Sequence, residues 1–421
     1  MTDLPRLDDH ALAARLLDEV AAMSPDTAGV SRPAFSALET RVLDHLSAAA
    51  RGLGLAVDTD AGGNRVFRLP GDSTPGARHI LIGSHVDSVP QGGNFDGLAG
   101  VVAGLLVLAR LRRSSQRPPL PVRVIAMRGE ESAWFGPCYI ASKLLTGAIT
   151  ADELGSTHRG DGRPLSAHIA ECGIAGAAPG RALADLSNVA TYLELHIEQG
   201  PLLVEKGIPA ATVTGIRGNF RHRAARCLGE AGHSGAVPRA YRHDPVMGFA
   251  ELMHRLDETW DQTLQRGGDL VLTCGILGTD PDRHAIARIP GELTFSLDIR
   301  SQSADTLVAM KELLHRDISE IEAARGLRFD LGPEIPAAPA MMDPDVVMGL
   351  ESAMARAGQD PFLMPSGGGH DAAVFAQAGI PAGMVFVRNR NGSHNPDEAM
   401  EVADLIAGTD ILSHYVTDPA R

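Results

Sequence analysis

The run HILIGSHVDSVPQGGNFDG (His79–Gly97) sets the class of fold. Its opening residues, His79–Ser84, are a short apolar run of the kind that forms a buried strand. The following stretch, Gly97–Arg112, is apolar nearly all round and long enough for a buried helix. The pattern recurs. VRVIAM (Val122–Met127), TYLELHI (Thr191–Ile197) and IPAGMVFV (Ile380–Val387) read as further buried strands, and residues 10–24 and 33–54 show helical periodicity. Strands alternating with helices predict an α/β fold with a mixed, largely parallel sheet flanked by helices. In such sheets the loops that leave the strand C-termini build the site. His85, Glu130, Glu131 and His196 all lie at those exits, and His394 follows the last strand.

The character of the chain changes near Gly215. LTFSLDIR (Leu293–Arg300) alternates apolar and polar residues, as an antiparallel strand with one solvated face does. VLTCGIL (Val271–Leu277) and RFDLG (Arg328–Gly332) are also strand-like, with helical patterns over 243–265 and 303–325. This predicts an α+β insert over 215–334. It would split a first domain into 1–214 and 335–421, the second part opening with the Pro- and Ala-rich IPAAPAMMD (Ile335–Asp343). Residues 147–190 read as an irregular connection with short helices. There are no internal repeats.

The chain has 421 residues, 44% hydrophobic and 21% charged, an ordinary globular composition with enough apolar residues for more than one core. A net charge of −14 and 4% aromatic residues argue against nucleic-acid binding, which needs a basic field and stacking surfaces. None of Cys138, Cys172, Cys227 and Cys274 forms a C-x-x-C pair. The N-terminus lacks the basic and apolar regions of a signal peptide, and no apolar run is long enough to span a bilayer. The expectation is a cytoplasmic protein.

Several motifs carry chemistry. His85, Asp96, Glu131, His196 and His394 are the residue types that two divalent ions take as ligands, one carboxylate being shared. Glu130 adds a carboxylate able to take a proton from water. In His85-Val86-Asp87 the period of two puts both polar side chains on one face, so Asp87 can support the imidazole. Taken singly, each has an ordinary reading: Asp96 as a turn aspartate, Glu130-Glu131 as a solvated acidic turn, His196 as a satisfied core residue. The Gly-rich SGGGHDA (Ser366–Ala372) lacks phosphate-loop spacing and favours close backbone approach, with His370 and Asp371 as buried support. In the insert, His233 sits in a turn-rich stretch. Arg300 ends a strand and is a candidate carboxylate clamp.

In combination and in order, GSHVDSVPQGGNFDG, HIEQGP, GGGHDA and NGSHNPDE resemble the hydantoinase/carbamoylase group of the M20 metallopeptidase-like amidohydrolases. That group includes N-carbamoyl-L-amino-acid hydrolases, allantoate amidohydrolases and β-ureidopropionases. HIEQGP separates it from the dipeptidases and deacetylases of the wider family, where a carboxylate usually occupies the position of His196. The resemblance spans about residues 10–415. It implies two divalent metals bridged by Asp96, His85 and His196 completing one site and Glu131 and His394 the other. Zn²⁺ fits these ligands best, with Mn²⁺, Co²⁺ or Ni²⁺ as alternatives. It also implies Glu130 as general base and an insert that serves as lid and homodimer interface. His233 would then reach the partner subunit's site and stabilise an oxyanion. Gln199, Arg300 and the backbone near Gly368 would contact a small substrate bearing a carboxylate.

Three places depart from the group. HAIARIP (His284–Pro290) puts His284 and Ala287 where asparagines are usual. EESAWFG brings Trp134 near the metals. NFRHRAAR adds Arg221, Arg223 and Arg226. The expected activity is hydrolysis of a linear amide or ureido C–N bond in an N-carbamoyl or N-acyl amino-acid-like substrate. An aminoacylase or dipeptidase is the first rival, and a non-catalytic binding protein on the same fold the second.

Overall fold

The computed structural model describes residues 7–72, 74, 76–114 and 117–419. The first six residues, on which part of the signal-peptide reading rests, lie outside that range. The chain forms two compact units, one of them Gly215–Ala340 and the other the remainder. Among the described residues no helix is long and apolar enough to cross a membrane.

The larger unit is built on a mixed sheet. Four strands, Val122–Met127, His79–His85, Val189–Ile197 and Ala382–Val387, lie side by side and parallel. Antiparallel strands Arg65–Arg68 and Ala210–Ile216 flank them. Every residue of His79–His85 and of Ala382–Val387 is buried, the signature of a sheet covered on both faces. The helix Leu98–Ser114 is buried on nearly all sides. It lies close to the sheet because Gly100 presents no side chain: a Cβ there would sit 2.1 Å from the Leu195 carbonyl oxygen. The stretch 147–190 contains two short helices, Ala151–Gly155 and Leu165–Glu171.

The smaller unit has an antiparallel six-stranded sheet centred on Gly218–Leu228 and Glu292–Ser301. Helices Pro245–Gln265 and Ala304–Arg325 contribute Leu252, Leu256, Leu314 and Ile321 to a core shared with Phe295 and Ile299. The Pro-rich stretch placed at the opening of the first domain's second part carries a strand, Glu334–Ala337, which pairs with Asn219–His222. An edge position tolerates the N–H that Pro336 lacks.

At the exit of Val122–Met127 a buried ion pair sets the next loop. Arg128 Nη1 donates to Glu39 Oε2 at 2.6 Å, and Arg128 Nε donates to the Gly63 carbonyl at 3.0 Å. Glu39 Oε1 in turn accepts the Gly129 N–H at 2.9 Å. Burial pushes the Glu39 carboxyl up to about 7, against the opposing pull of Arg128. Breaking such a pair leaves one charge buried without its counter-charge. Glu39→Gln is therefore expected to destabilise the protein by about 3–5 kcal/mol, seen as a lower thermal midpoint. An unchanged midpoint would show that Arg128 does not depend on Glu39.

Candidate metal centre

The strand exits of the larger unit bring five of the sequence-predicted residues together around Asp96. His196 Nε2 lies 3.0 Å and His85 Nε2 3.4 Å from Asp96 Oδ1. His394 Nε2 lies 3.4 Å from Asp96 Oδ2 and 3.3 Å from Glu131 Oε1. The result is two three-residue groups, His85–Asp96–His196 and Asp96–Glu131–His394, sharing one carboxylate. Two ligands bound to one tetrahedral Zn²⁺ stand about 3.3 Å apart, which matches these spacings.

Three features fit this donor set to divalent ions. First, both buried imidazoles turn Nδ1 to a backbone carbonyl, His196 to Ile197 at 2.9 Å and His85 to Asp87 at 3.2 Å. That leaves each Nε2 facing Asp96, the orientation of a metal-binding histidine. Second, Glu131 Oε1 is buried without a well-formed hydrogen bond. Third, Gly97, at φ +66°, allows the chain to pass so close to His85 that a Cβ would lie 2.4 Å from the ring.

Charge concentration governs the electrostatics. Burial would raise the Asp96 carboxyl, but His196, His394 and His85 overcome it and hold the group well below the usual carboxylate range. Burial raises Glu131, with His394 opposing. Glu130 is pushed well above the carboxylate range by burial, opposed by His85 and reinforced by the adjacent Glu131. The ion pairs of the centre run to Asp96 and Glu131, not to Glu130. Its hydrogen bonds to the carboxylates of Asp96 and Glu131 draw His394 up to about 10.

Asp87 does more than support His85. Its Oδ1 lies 3.3 Å from His85 Nδ1 and also accepts the Glu130 N–H at 3.0 Å. Its Oδ2 accepts the Glu131 N–H at 3.1 Å. One carboxylate thus fixes a ligand, the neighbouring ligand and the candidate base. Trp134, in the loop that follows, donates Nε1–H to the Ser88 carbonyl at 2.7 Å.

Several contributors escaped the sequence reading. Glu398 accepts the Phe95 and Asp96 N–H groups at 2.8 and 3.2 Å and the Ser393 hydroxyl at 2.6 Å. Ser393 also donates to Asp96 Oδ2 at 2.5 Å. Arg32 is fully buried and donates to the Val86 carbonyl and Asn94 Oδ1 at 2.7 and 2.9 Å. Burial lowers it to about 10, with Asp87, Glu398, Asp96 and Glu131 pulling the other way, so it remains cationic near neutrality. A signal for Glu398 existed in NGSHNPDE. Arg32, 53 positions before His85, had none.

Gln199 lies at the centre, its Nε2 donating to Asp96 Oδ2 at 2.7 Å. Gly368 is beside it: a Cβ there would lie 2.6 Å from Gln199 Oε1. Gln199 and His394 both have left-handed backbones, φ +63° and +60°. That region is sparsely used by residues with side chains and is concentrated at functional sites. His370 packs against His196, ring centroids 4.3 Å apart.

His233 and Arg300 belong to the smaller unit. His233 is exposed, and its Nδ1 accepts the Gly235 N–H at 3.1 Å. The neutral ring therefore carries its proton on Nε2, as a donor. The short strand Gly232–His233 pairs with Arg288–Ile289, so the departing segment His284–Pro290 lies directly against it, with Ser234 N–H bonded to the Ala287 carbonyl at 2.9 Å. Arg300 Nη2 donates to Asp298 Oδ2 at 2.7 Å.

Comparison with known proteins identifies the family. The model of Peptidase family M20/M25/M40 matches residues 81–418. The chain is 33% identical over 394 residues to an N-carbamoyl-L-amino acid amidohydrolase of Geobacillus stearothermophilus, covering 93% of this chain and 94% of that one. It is 31% identical to the allantoate amidohydrolase of Escherichia coli (strain K12), covering 86% and 85%. A crystal structure of an amidase of the hydantoinase/carbamoylase family from Burkholderia multivorans superposes with a TM-score of 0.85 at 29% identity, covering 96% of this chain and 97% of that one. With a family match over most of its length and a binuclear set of donors on the shared fold, this chain belongs to the peptidase family M20/M25/M40.

Proposed function

We propose that the protein hydrolyses a linear amide or ureido C–N bond in an N-carbamoyl or N-acyl amino-acid-like substrate that bears a carboxylate. The observation that carries this reading is the pairing of the donor set around Asp96 with a buried Glu130 beside Glu131. The relatives named above support the choice of scissile bond.

In this reading His85, Asp96 and His196 hold one divalent ion and Asp96, Glu131 and His394 the other, Zn²⁺ being the best fit and Mn²⁺, Co²⁺ or Ni²⁺ alternatives. Bound there, the ions supply Lewis-acid polarisation and make water acidic enough to react near neutrality. Glu130 takes the proton of the attacking water and returns it to the departing nitrogen. Asp87 holds Glu130 in place through its backbone N–H. His233 donates its Nε2–H to the oxyanion, across a homodimer made by the smaller unit. Arg300 exchanges Asp298 for the substrate carboxylate, and Gln199 and the backbone at Gly368 orient the amide. The same reading has a cytoplasmic enzyme.

Glu130→Gln is expected to lower kcat by roughly 10²–10⁴-fold while both metals are retained. Ammonia release from N-carbamoyl and ureido amino acids checks this, and near-normal turnover would remove Glu130 from the base role. Ammonia-free release of amine from acylated substrates alone would move the enzyme to the aminoacylase side.

Arg300→Ala is expected to raise KM for carboxylate-bearing substrates with a smaller effect on kcat. Steady-state kinetics with a substrate and its amide analogue decide it, since an unchanged KM contradicts the clamp.

The imidazoles of the metal-free centre are shifted upward, His394 to about 10. His394 therefore carries a proton at neutral pH, and binding an ion displaces it. Proton release on adding Zn²⁺ to metal-free protein, measured in a pH-stat, and weaker metal retention as pH falls are the expected results.

A further inference from the structure

A second histidine–carboxylate cluster lies in the larger unit, outside the centre just described. His158, Asp161 and His168 present one ligand atom each, all within 4.8 Å of one another. His158 Nδ1 lies 3.3 Å from Asp161 Oδ1, and His168 Nε2 lies 3.3 Å from Asp161 Oδ2. These spacings repeat those at Asp96, which run from 3.0 to 3.4 Å.

We propose that His158, Asp161 and His168 form a mononuclear site for a late first-row divalent ion of the Zn²⁺ class, separate from the binuclear centre. Two imidazoles and one carboxylate are a sufficient donor set, with the fourth position left to water.

The first argument is the state of the His158 ring. Its Nδ1 accepts the N–H groups of Gly160 and Asp161, both at 3.3 Å. An accepting nitrogen carries a lone pair and no proton. That nitrogen, 3.3 Å from Asp161 Oδ1, is the ring atom an ion would take in exchange for two long hydrogen bonds.

The second argument is preorganisation. The His158 ring stacks on Trp134, with centroids 5.9 Å apart and planes at 10°. Phe135 packs at 5.1 Å against both imidazoles. The loop between the ligands is closed by hydrogen bonds from His158 N–H to the Arg163 carbonyl at 2.9 Å and from Gly162 N–H to the His158 carbonyl at 2.9 Å. The His158 and His168 side chains are 15% and 11% exposed, while Asp161 is 42% exposed. The imidazoles are thus held from behind, and the carboxylate side opens to solvent, where an ion can enter.

The site also touches the loop after the candidate base. Arg159 N–H donates to the Trp134 carbonyl at 2.8 Å, and Trp134 Nε1–H reaches the Ser88 carbonyl, one residue from Asp87. An ion at His158 would stiffen the turn that supports Trp134.

The test is a count of bound ions. Metal-free full-length protein is dialysed to equilibrium against micromolar free Zn²⁺ and its metal content measured. About three ions per chain are expected for the natural protein and about two for His158→Gln, His168→Gln and Asp161→Asn. Matching far-ultraviolet circular dichroism spectra exclude misfolding as the cause of a loss. As a second readout, Cu²⁺ added after the binuclear centre is filled with Zn²⁺ should give an electron paramagnetic resonance signal with imidazole nitrogen splitting. That signal should vanish in the double variant His158→Gln/His168→Gln. Two ions in the natural protein, or equal counts in natural and variant proteins, would overturn the proposal and leave the cluster a His–Asp hydrogen-bond network. The count is independent of substrate turnover, so its failure leaves the hydrolase reading untouched.

Discussion

Asp87, Asp96, Glu130, Glu131 and Glu398 are all buried at one end of one sheet, and their mutual repulsion is the constraint that the surrounding structure answers. Carboxylates out of water are costly unless positive charge or donated hydrogen bonds offset the loss of hydration. The protein uses both. Backbone N–H groups of Phe95, Asp96, Glu130 and Glu131 are spent on Glu398 and Asp87. A fully buried Arg32 supplies a fixed cation nearby, and three imidazoles surround Asp96. Glu131 Oε1 is left to His394 Nε2 at 3.3 Å, and the Glu130 carboxyl, with His85 opposing, is still pushed up by burial and by Glu131. The centre is thus defined as much by which carboxylates are satisfied as by which are present.

The parallel part of the fold and the residues that gather at Asp96 were legible in the sequence for a common reason. A strand buried on both faces must be apolar throughout, so His79–Ser84, Val122–Met127 and Ala382–Val387 stand out without alternation. The polar residue that ends each run is then conspicuous, as His85 and the Glu130-Glu131 pair are. Their supports were not legible, because Arg32 and Glu398 lie far away in sequence and act through contacts that only folding creates. The strand Gly218–Leu228 was missed for another reason. Its burial alternates only in part and its exposed face is rich in arginine, so it lacks the regular period of Glu292–Ser301. Glu334–Ala337 gives no strand signal because proline argues against a strand, a rule that relaxes at sheet edges.

In the smaller unit the segment with His284 and Ala287 is joined to the His233 strand through the main chain. It sits there through backbone pairing, which any side chain permits. Substitutions in it leave intact the turn in which Gly235 N–H meets His233 Nδ1. Arg300 is held by Asp298 on the same strand, with Nη2 and Oδ2 2.7 Å apart.

The left-handed backbone at Gln199 and His394 has a consequence for the durability of the protein. Residues with a Cβ sit there at a conformational cost of about 1–3 kcal/mol each, and glycine would remove it. A lineage selected only for resistance to heat would drift toward glycine at both positions and lose a donor to Asp96 and a ligand in the process. The strained residues are the ones function keeps, so marginal stability at this corner is a record of what the protein is for.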